Sequence, residues 1–231
     1  ISAGAPVPAG TVEKIRGLCG PEAGFWTPYG ATECLPVAVI EGAQLQLTRV
    51  GTDQGFGTCI GWPLPENTVR LIKISDEALE DWDDVLLADE GEIGELTVAG
   101  PSATDSYIAR AEANRFGKIH ETLADGSQRI VHRMGDLAWQ DAQGRLWFCG
   151  RKSQRLQTRQ GLLGTENVEP IFNLHPAVSR SALVGIGASP LQKPVLCIER
   201  QQGNDMSEQQ LFADLLAMAR THRHTQHIDS F

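Results

Sequence analysis

The sequence predicts an α/β and α+β chain, with a β-rich middle followed by a small α+β domain. Between about residues 37 and 148, short β-like runs alternate with Gly and Pro and no long helix intervenes. The last third instead alternates helix and strand patterns, and a polar run at 151–160 that ends at Gly161 separates the two regions. With 231 residues, 41% of them hydrophobic, the chain can form one large domain or two small ones.

Short elements begin the chain. Residues 11–18 predict a helix with Thr11 as its N-cap. Residues 25–30 predict a strand that ends in a polar loop. The apolar side of the helix would be formed by Val12, Ile15 and Leu18.

The middle of the chain predicts a small sheet or distorted barrel. A hairpin is indicated at 141–144, because Gly144 can supply the positive φ that a tight turn needs. The β-like runs are residues 43–50, 69–74, 95–99, 129–132 and 146–149.

The last third predicts two helices and two strands. The strands are expected at 181–184 and 195–199, and the first helix at 167–173. The second helix, at 207–220, begins with a capping box of Ser207 and Gln210. Its apolar face would carry Leu211, Leu215 and Met218.

The charge is concentrated in one segment. The chain has 29 acidic and 20 basic residues, a formal charge of −9, and no basic residue among ten acids at 76–95. This balance argues against nucleic acid as a partner. We interpret the segment as solvated surface tethered by its apolar residues; a cation site or a docking patch for a basic partner is the alternative.

Several broad classes are excluded by composition. No apolar run is long enough to span a membrane and no signal peptide is evident, so the sequence predicts a cytoplasmic protein. Five scattered cysteines without a Cys-x-x-Cys pair argue against a disulfide framework or a zinc site. Three histidines at 222, 224 and 227 could chelate a metal, but a polar helix end is the favoured interpretation. The chain begins without Met, and we expect it to be a fragment.

Two segments carry groups suited to nucleotide chemistry. In Tyr29, Gly30, Ala31, Thr32 and Glu33, the glycine allows close approach of a ligand, the ring can stack on a base, the hydroxyl can bond phosphate and the carboxylate can hold Mg²⁺. Further along, Asp136 can accept ribose hydroxyls, and Arg151 can bond a sugar or a phosphate.

Taken together and in this order, these segments resemble the adenylate-forming superfamily of acyl-CoA synthetases, fatty acyl-AMP ligases and adenylation domains. Each matching motif is short, but they recur in register along nearly the whole chain. They comprise Gly4 to Pro6, Tyr29 to Glu33, Gly91 to Val98, Gly135-Asp136, Gly144 to Arg151 and His175 to Val178.

The resemblance implies a role for each matching residue. Gly4, Ala5 and Pro6 would line the adenine, with Tyr29 stacked on it. Thr32 would touch the α-phosphate and Glu33 would hold Mg²⁺, while Asp136 and Arg151 would bind the ribose. The implied reaction is attack of a substrate carboxylate on the α-phosphorus of ATP, which gives acyl-AMP and pyrophosphate.

The resemblance also implies a domain plan. Residues 1–48 would end a large α/β subdomain, 49–150 would form the β-rich subdomain, 151–161 a hinge, and 162–231 an incomplete C-terminal α+β domain. The family's phosphate loop and its C-terminal Gly-Lys are not in this sequence. We therefore predict that the 231-residue chain alone forms little acyl-AMP.

The branch of the family is indicated by the linker. Ser153, Gln157 and the late Gly161 depart from the CoA-ligase pattern, so CoA stays uncertain. Residues 148–153 and 170–178 look most like the β-lactone synthetases of bacterial olefin biosynthesis, which act on β-hydroxy fatty acids. This implies a fatty or β-hydroxy fatty acid substrate and leaves open an assembly with other enzymes of the pathway. A long-chain acyl-CoA synthetase and a catalytically inactive nucleotide-binding or interaction module are the alternatives.

Overall fold

A computed structural model describes residues 1–4, 7, 9–20 and 22–231. The chain forms two compact units, one of residues 1–49 with 59–148 and one of residues 50–58 with 149–231. Helices and mostly antiparallel sheets make up both units, and the predicted α/β and α+β class is confirmed. The four-part domain plan stays a prediction.

An eight-stranded sheet dominates the first unit. The elements, in chain order, are α1 (Ala9–Leu18), β1 (Trp26–Ala31), β2 (Cys34–Glu41), α2 (Gly42–Asp53), β3 (Thr58–Pro63), β4 (Thr68–Ile72), β5 (Gly94–Ala99), α3 (Ala111–Gly117), β6 (Lys118–Thr122), β7 (Gln128–Gln140) and β8 (Leu146–Arg151). The strand order in the sheet is β1-β2-β3-β8-β7-β5-β4, and β6 pairs with β7.

Residues of the sheet form the core of this unit. Every residue of β5 is buried, including the polar Glu95 and Thr97. The predicted hairpin at 141–144 is confirmed, because the Gly144 N–H donates to the Asp141 carbonyl at 2.8 Å and Gly144 has φ of 78°. The main buried cluster comprises Cys34, Val37, Ala38, Ile60, Leu96, Val98, Met134, Ala138 and Leu146.

Two predictions near the N-terminus are wrong. Residues 43–50 are not a strand but lie within α2, where Leu45 and Thr48 are buried at helical spacing. The alternation of Gln and Leu imitated a strand, but these residues also favour a helix. Thr11 lies inside α1 and is not its cap, and Leu18 is exposed because the helix ends there.

The acidic segment 76–95 is tethered, as predicted. A short 3₁₀ helix (Asp84–Leu86) interrupts it, and Leu79, Trp82 and Leu86 pack on a small apolar cluster. The Arg70 guanidinium lies 3.4 Å above the Trp82 ring. These contacts hold the backbone of the segment while most of its carboxylates face solvent.

The second unit contains two small sheets and two helices. The predicted strands and helices are confirmed within a few residues, and an apolar cluster that includes Phe172, Leu196 and Leu215 forms the core. Residues 151–163 form a short 3₁₀ helix and a hairpin. The elements are β9 (Leu156–Thr158), β10 (Gly161–Leu163), α4 (Thr165–Phe172), β11 (Val178–Ile186), β12 (Lys193–Arg200) and α5 (Glu208–Ala219).

Half of the predicted capping box is present at α5. The Ser207 hydroxyl accepts the Gln210 backbone N–H at 3.2 Å. The Gln210 side chain donates instead to Asp214, at 2.7 Å. A side-chain hydrogen bond to Asp214, one helical turn further along α5, therefore takes the place of the reciprocal bond of the capping box.

Two further features bear on chemistry. Cys34, Cys59 and Cys149 are buried and Cys19 and Cys197 are exposed, and no disulfide joins any two of these five described residues. Within the part of the chain that the structure describes, no helix combines the length and apolar character needed to cross a membrane.

Candidate nucleotide and metal site

The Tyr29 to Glu33 segment forms the end of one strand and a tight turn. Antiparallel β1 and β2 are joined through Thr32 and Glu33, and the strand register shifts between Tyr29 and Ala31. A Cβ at Gly30 would overlap the carbonyl oxygen of Cys34, so only glycine lets the two strands approach this closely. The turn therefore presents Thr32 and Glu33 together at the tip of a hairpin.

Tyr29 and Asp136 are brought together although 107 residues separate them. The Tyr29 hydroxyl donates to Asp136 Oδ2 at 2.5 Å. Asp136 lies in β7 and is only 2% exposed. The Tyr29 ring tilts by 42° against Phe148 of β8, with 6.1 Å between centroids. A short hydrogen bond between a phenol and a buried carboxylate thus joins the residue predicted to stack on the adenine to a residue predicted to bind the ribose.

Glu33 lies half-buried beside three groups that the sequence did not single out. The Tyr107 hydroxyl donates to Glu33 Oε1 at 2.9 Å. Lys118 and His132 lie close enough to act on this carboxylate electrostatically when they are protonated. The Glu33 carbonyl accepts the Thr104 N–H at 2.8 Å, so both the backbone and the side chain of Glu33 are held.

The protonation of this cluster follows from its contacts. Burial acts to raise the pKa of Glu33, but the Tyr107 hydrogen bond, a backbone contact and the charges of His132 and Lys118 outweigh it and lower the pKa. Burial and the Glu33 carboxylate raise the pKa of Tyr107 to about 12, so it stays a donor. Burial chiefly lowers the pKa of Lys118 and of His132. Glu33 is therefore ionised near neutral pH.

Beneath Asp136, strand β7 is anchored by a buried ion pair. The Arg133 guanidinium contacts Glu95 of β5 through two hydrogen bonds, of 3.1 and 2.6 Å. It also donates to the carbonyls of Ser75 and Glu77, at 2.6 and 2.8 Å. The two side chains are 2% and 1% exposed. Arg133 is thus a structural residue that fixes the strand carrying Asp136.

The other predicted site residues are placed as follows. Thr32 is exposed at the turn, and Gly4 is exposed with φ of 102°. Ala5 and Pro6 lie outside the described residues. Arg151 is exposed at the end of β8 and falls in the second unit. The assignment of roles to all these residues stays a prediction.

The residues present fit a Mg²⁺ ion bound together with phosphate. Mg²⁺ sites commonly use one or two carboxylates and complete the coordination with water and substrate phosphates. Glu33 supplies one ionised carboxylate next to the exposed Thr32 hydroxyl. Within the described ranges, no three His, Cys, Asp or Glu side chains come together, and this includes the histidines at 222, 224 and 227. Phosphate oxygens and water would therefore supply most of the ligands.

Comparison with known proteins identifies the class. The family described as AMP-binding enzyme matches residues 1–108. An amide bond synthetase, McbA from Marinactinospora thermotolerans, shares the fold with a TM-score of 0.69 and 21% identity, covering 98% of this chain and 40% of that one. The resemblance to the adenylate-forming superfamily inferred from the motifs is confirmed.

Within that class, two curated relatives bear the same description. The chain is 58% identical to an olefin beta-lactone synthetase of Stenotrophomonas maltophilia over 89% of its own length, and 54% identical to that of Xanthomonas campestris pv. campestris over 100%. The predicted similarity to β-lactone synthetases is confirmed. The chain spans 37% and 42% of the length of these relatives.

Proposed function

We propose that the protein takes part in ATP-dependent activation of a fatty or β-hydroxy fatty acid, followed by closure of a β-lactone. The observation that carries this proposal is the site: an ionised Glu33 at a hairpin tip and a Tyr29–Asp136 pair, within a chain more than half identical to two olefin beta-lactone synthetases. Cytoplasmic location and assembly with other enzymes stay predictions.

In the first step, a carboxylate oxygen of the acid forms a bond to the α-phosphorus of ATP. The bond between that phosphorus and the bridging oxygen breaks, and pyrophosphate leaves with the electron pair. Thr32 would bond an α-phosphate oxygen, Asp136 the ribose hydroxyls, and Tyr29 would contact the adenine. Bound Mg²⁺ would neutralise phosphate charge, and Glu33 would hold it. These groups position reactants and need no protein nucleophile.

In the second step, the β-hydroxyl oxygen of the bound acyl-AMP bonds to the acyl carbon. AMP leaves with the electrons of the mixed anhydride bond, and the hydroxyl proton is released. The four-membered lactone therefore requires a hydroxyl on the β-carbon and no thiol acceptor. This requirement for an internal hydroxyl distinguishes the proposed reaction from that of a CoA ligase, which needs CoA as a second substrate.

The test compares two acids of equal chain length, with and without the β-hydroxyl, each with MgATP and with or without CoA. We expect lactone and AMP from the hydroxy acid without CoA, and adenylate without lactone from the other acid. Turnover is expected only in a form of the protein that also carries the phosphate loop and the C-terminal lysine. A thioester that forms only with CoA would contradict the proposal.

Two variants, made in that same longer form, check that the described site is responsible. Glu33→Gln should reduce carboxylate-dependent pyrophosphate release at least about 10-fold, because a metal ligand is lost and removal of a ligand's hydrogen-bond partner already costs about 10–100-fold. Glu13→Gln, which makes the same change at an exposed residue of α1, should behave as the parent protein. Equal loss in both variants would indicate a general effect on folding.

A further inference from the structure

The chain contains only two tyrosines, Tyr29 and Tyr107, and both donate to carboxylates that are predicted to bind the nucleotide or its metal. Tyr29 lies in one of the motifs that carry the family resemblance. Tyr107 lies in none of these motifs, and 74 residues separate it from Glu33 along the chain. Its hydroxyl nevertheless makes the side-chain contact that orients the Glu33 carboxylate.

The Tyr107 backbone is held by one side chain. The Asn114 amide nitrogen donates to the Tyr107 carbonyl at 2.9 Å, and the Tyr107 N–H donates to Asn114 Oδ1 at 2.7 Å. These two bonds close a ring between α3 and the loop before it. Two residues after Tyr107, Ala109 has φ of 56°, which is left-handed and uncommon for a residue other than glycine. The loop is therefore held in a specific, costly conformation.

The Tyr107 ring is also fixed on its sides. The His132 imidazole packs edge-on at 6.4 Å between centroids, and its Nδ1 bonds the Gly117 carbonyl at 2.9 Å. The Lys118 ammonium lies 5.3 Å from the Tyr107 ring centroid. Lys118 is 4% exposed and donates to the carbonyl and hydroxyl of Thr104. Because Thr104 bonds the Glu33 carbonyl, Lys118 supports Glu33 through a second route.

We propose that Tyr107 is a positioning residue for Glu33: its hydrogen bond fixes the orientation of the carboxylate, so that the hairpin tip is prepared for a divalent cation. This inference rests on the proposed role of Glu33 as the Mg²⁺ ligand. The remainder of the network, from Asn114 to Lys118, holds Tyr107 in place. Partners of this kind typically change metal affinity 10–100-fold when they are removed.

The measurement that tests this role follows the cation. MgATP binding is measured across Mg²⁺ concentrations, and Tyr107→Phe should require about tenfold more Mg²⁺ while binding ATP alone as before. Asn114→Ala, which keeps the phenol but loosens its backbone, should shift the Mg²⁺ requirement in the same direction by less. If thermal unfolding shows that Tyr107→Phe folds poorly, Asn114→Ala tests the positioning role in its place.

Glu33→Gln separates the two ideas. A Mg²⁺ requirement that does not change in Glu33→Gln would overturn the proposed metal ligand and the positioning role together. A requirement that rises in Glu33→Gln but not in Tyr107→Phe or Asn114→Ala would overturn the positioning role alone.

Discussion

Strand β7 and the segment 104–118 hold the two carboxylates of the candidate site by different means. Strand β7 buries Asp136 within a paired sheet and anchors it through the Arg133–Glu95 ion pair below. Segment 104–118 surrounds the half-exposed Glu33 with a loop and a short helix, and relies on single hydrogen bonds from Thr104 and Tyr107. A ligand-binding residue on a strand is held rigid by the pairing of the sheet, whereas one on a turn needs hydrogen bonds from other parts of the chain to hold it.

The largest expected effect comes from breaking the anchor of β7. Arg133→Met should lower the free energy of unfolding by about 3–5 kcal/mol, because the buried Glu95 carboxylate loses the guanidinium charge that faces it. Urea unfolding followed by tryptophan fluorescence measures this, since all five tryptophans lie in the first unit.

An exposed ion pair of the second unit serves as the control for the effect of burial on the buried Arg133–Glu95 pair. Arg180 and Glu199 form a pair with the same 2.6 Å distance, but their side chains are 77% and 53% exposed. Arg180→Met should cost no more than about 1 kcal/mol, measured by circular dichroism. A similar loss for both variants would contradict the explanation.

A second prediction concerns β6 and β7 and depends on pH. Glu121 of β6 contacts Arg70 and Arg129, at 2.7 and 2.6 Å. Hydrogen bonds from Arg70 and then Arg129 overcome the effect of burial and lower the pKa of Glu121 to about 2.

The sign of the pH dependence follows from that lowered pKa. Stabilisation by Glu121 is present above its ordinary pKa of 4.5 and is lost as pH falls toward 2. Glu121→Gln should cost about 2 kcal/mol at pH 7 and flatten the fall in stability between pH 5 and 2. Urea midpoints at several pH values measure it, and an unchanged slope would show that the acid sensitivity arises elsewhere.

The smallest expected effect tests the loop side of the comparison. Ala109→Gly should raise the free energy of unfolding of the first unit by between zero and about 1 kcal/mol, because glycine adopts the left-handed conformation at less cost. Ala103→Gly, at a residue of the same loop without a positive φ, should destabilise. Thermal unfolding of the two variants measures the difference, and destabilisation by both would mean that Ala109 is not strained.

Much of the fold could be read from local patterns. The hairpin at 141–144 is predictable because Gly144 can supply the positive φ that a tight turn needs. Helix α5 is predictable because the N-cap Ser207 and the apolar residues at helical spacing indicate the same helix. Helix α2 was mistaken for a strand because its alternation of Gln and Leu satisfies both periods over eight residues. Which face became buried was decided by the sheet against which the helix packs.

The class of protein and the local chemistry follow from the sequence alone, because Tyr29 to Glu33 and Asp136 stand in short motifs whose residues are neighbours along the chain. The side chains that support these residues are brought to them by the tertiary structure. Tyr107 meets Glu33 across 74 residues and Arg133 meets Glu95 across 38. Contacts over such separations depend on strand order and loop path, which local propensity does not encode.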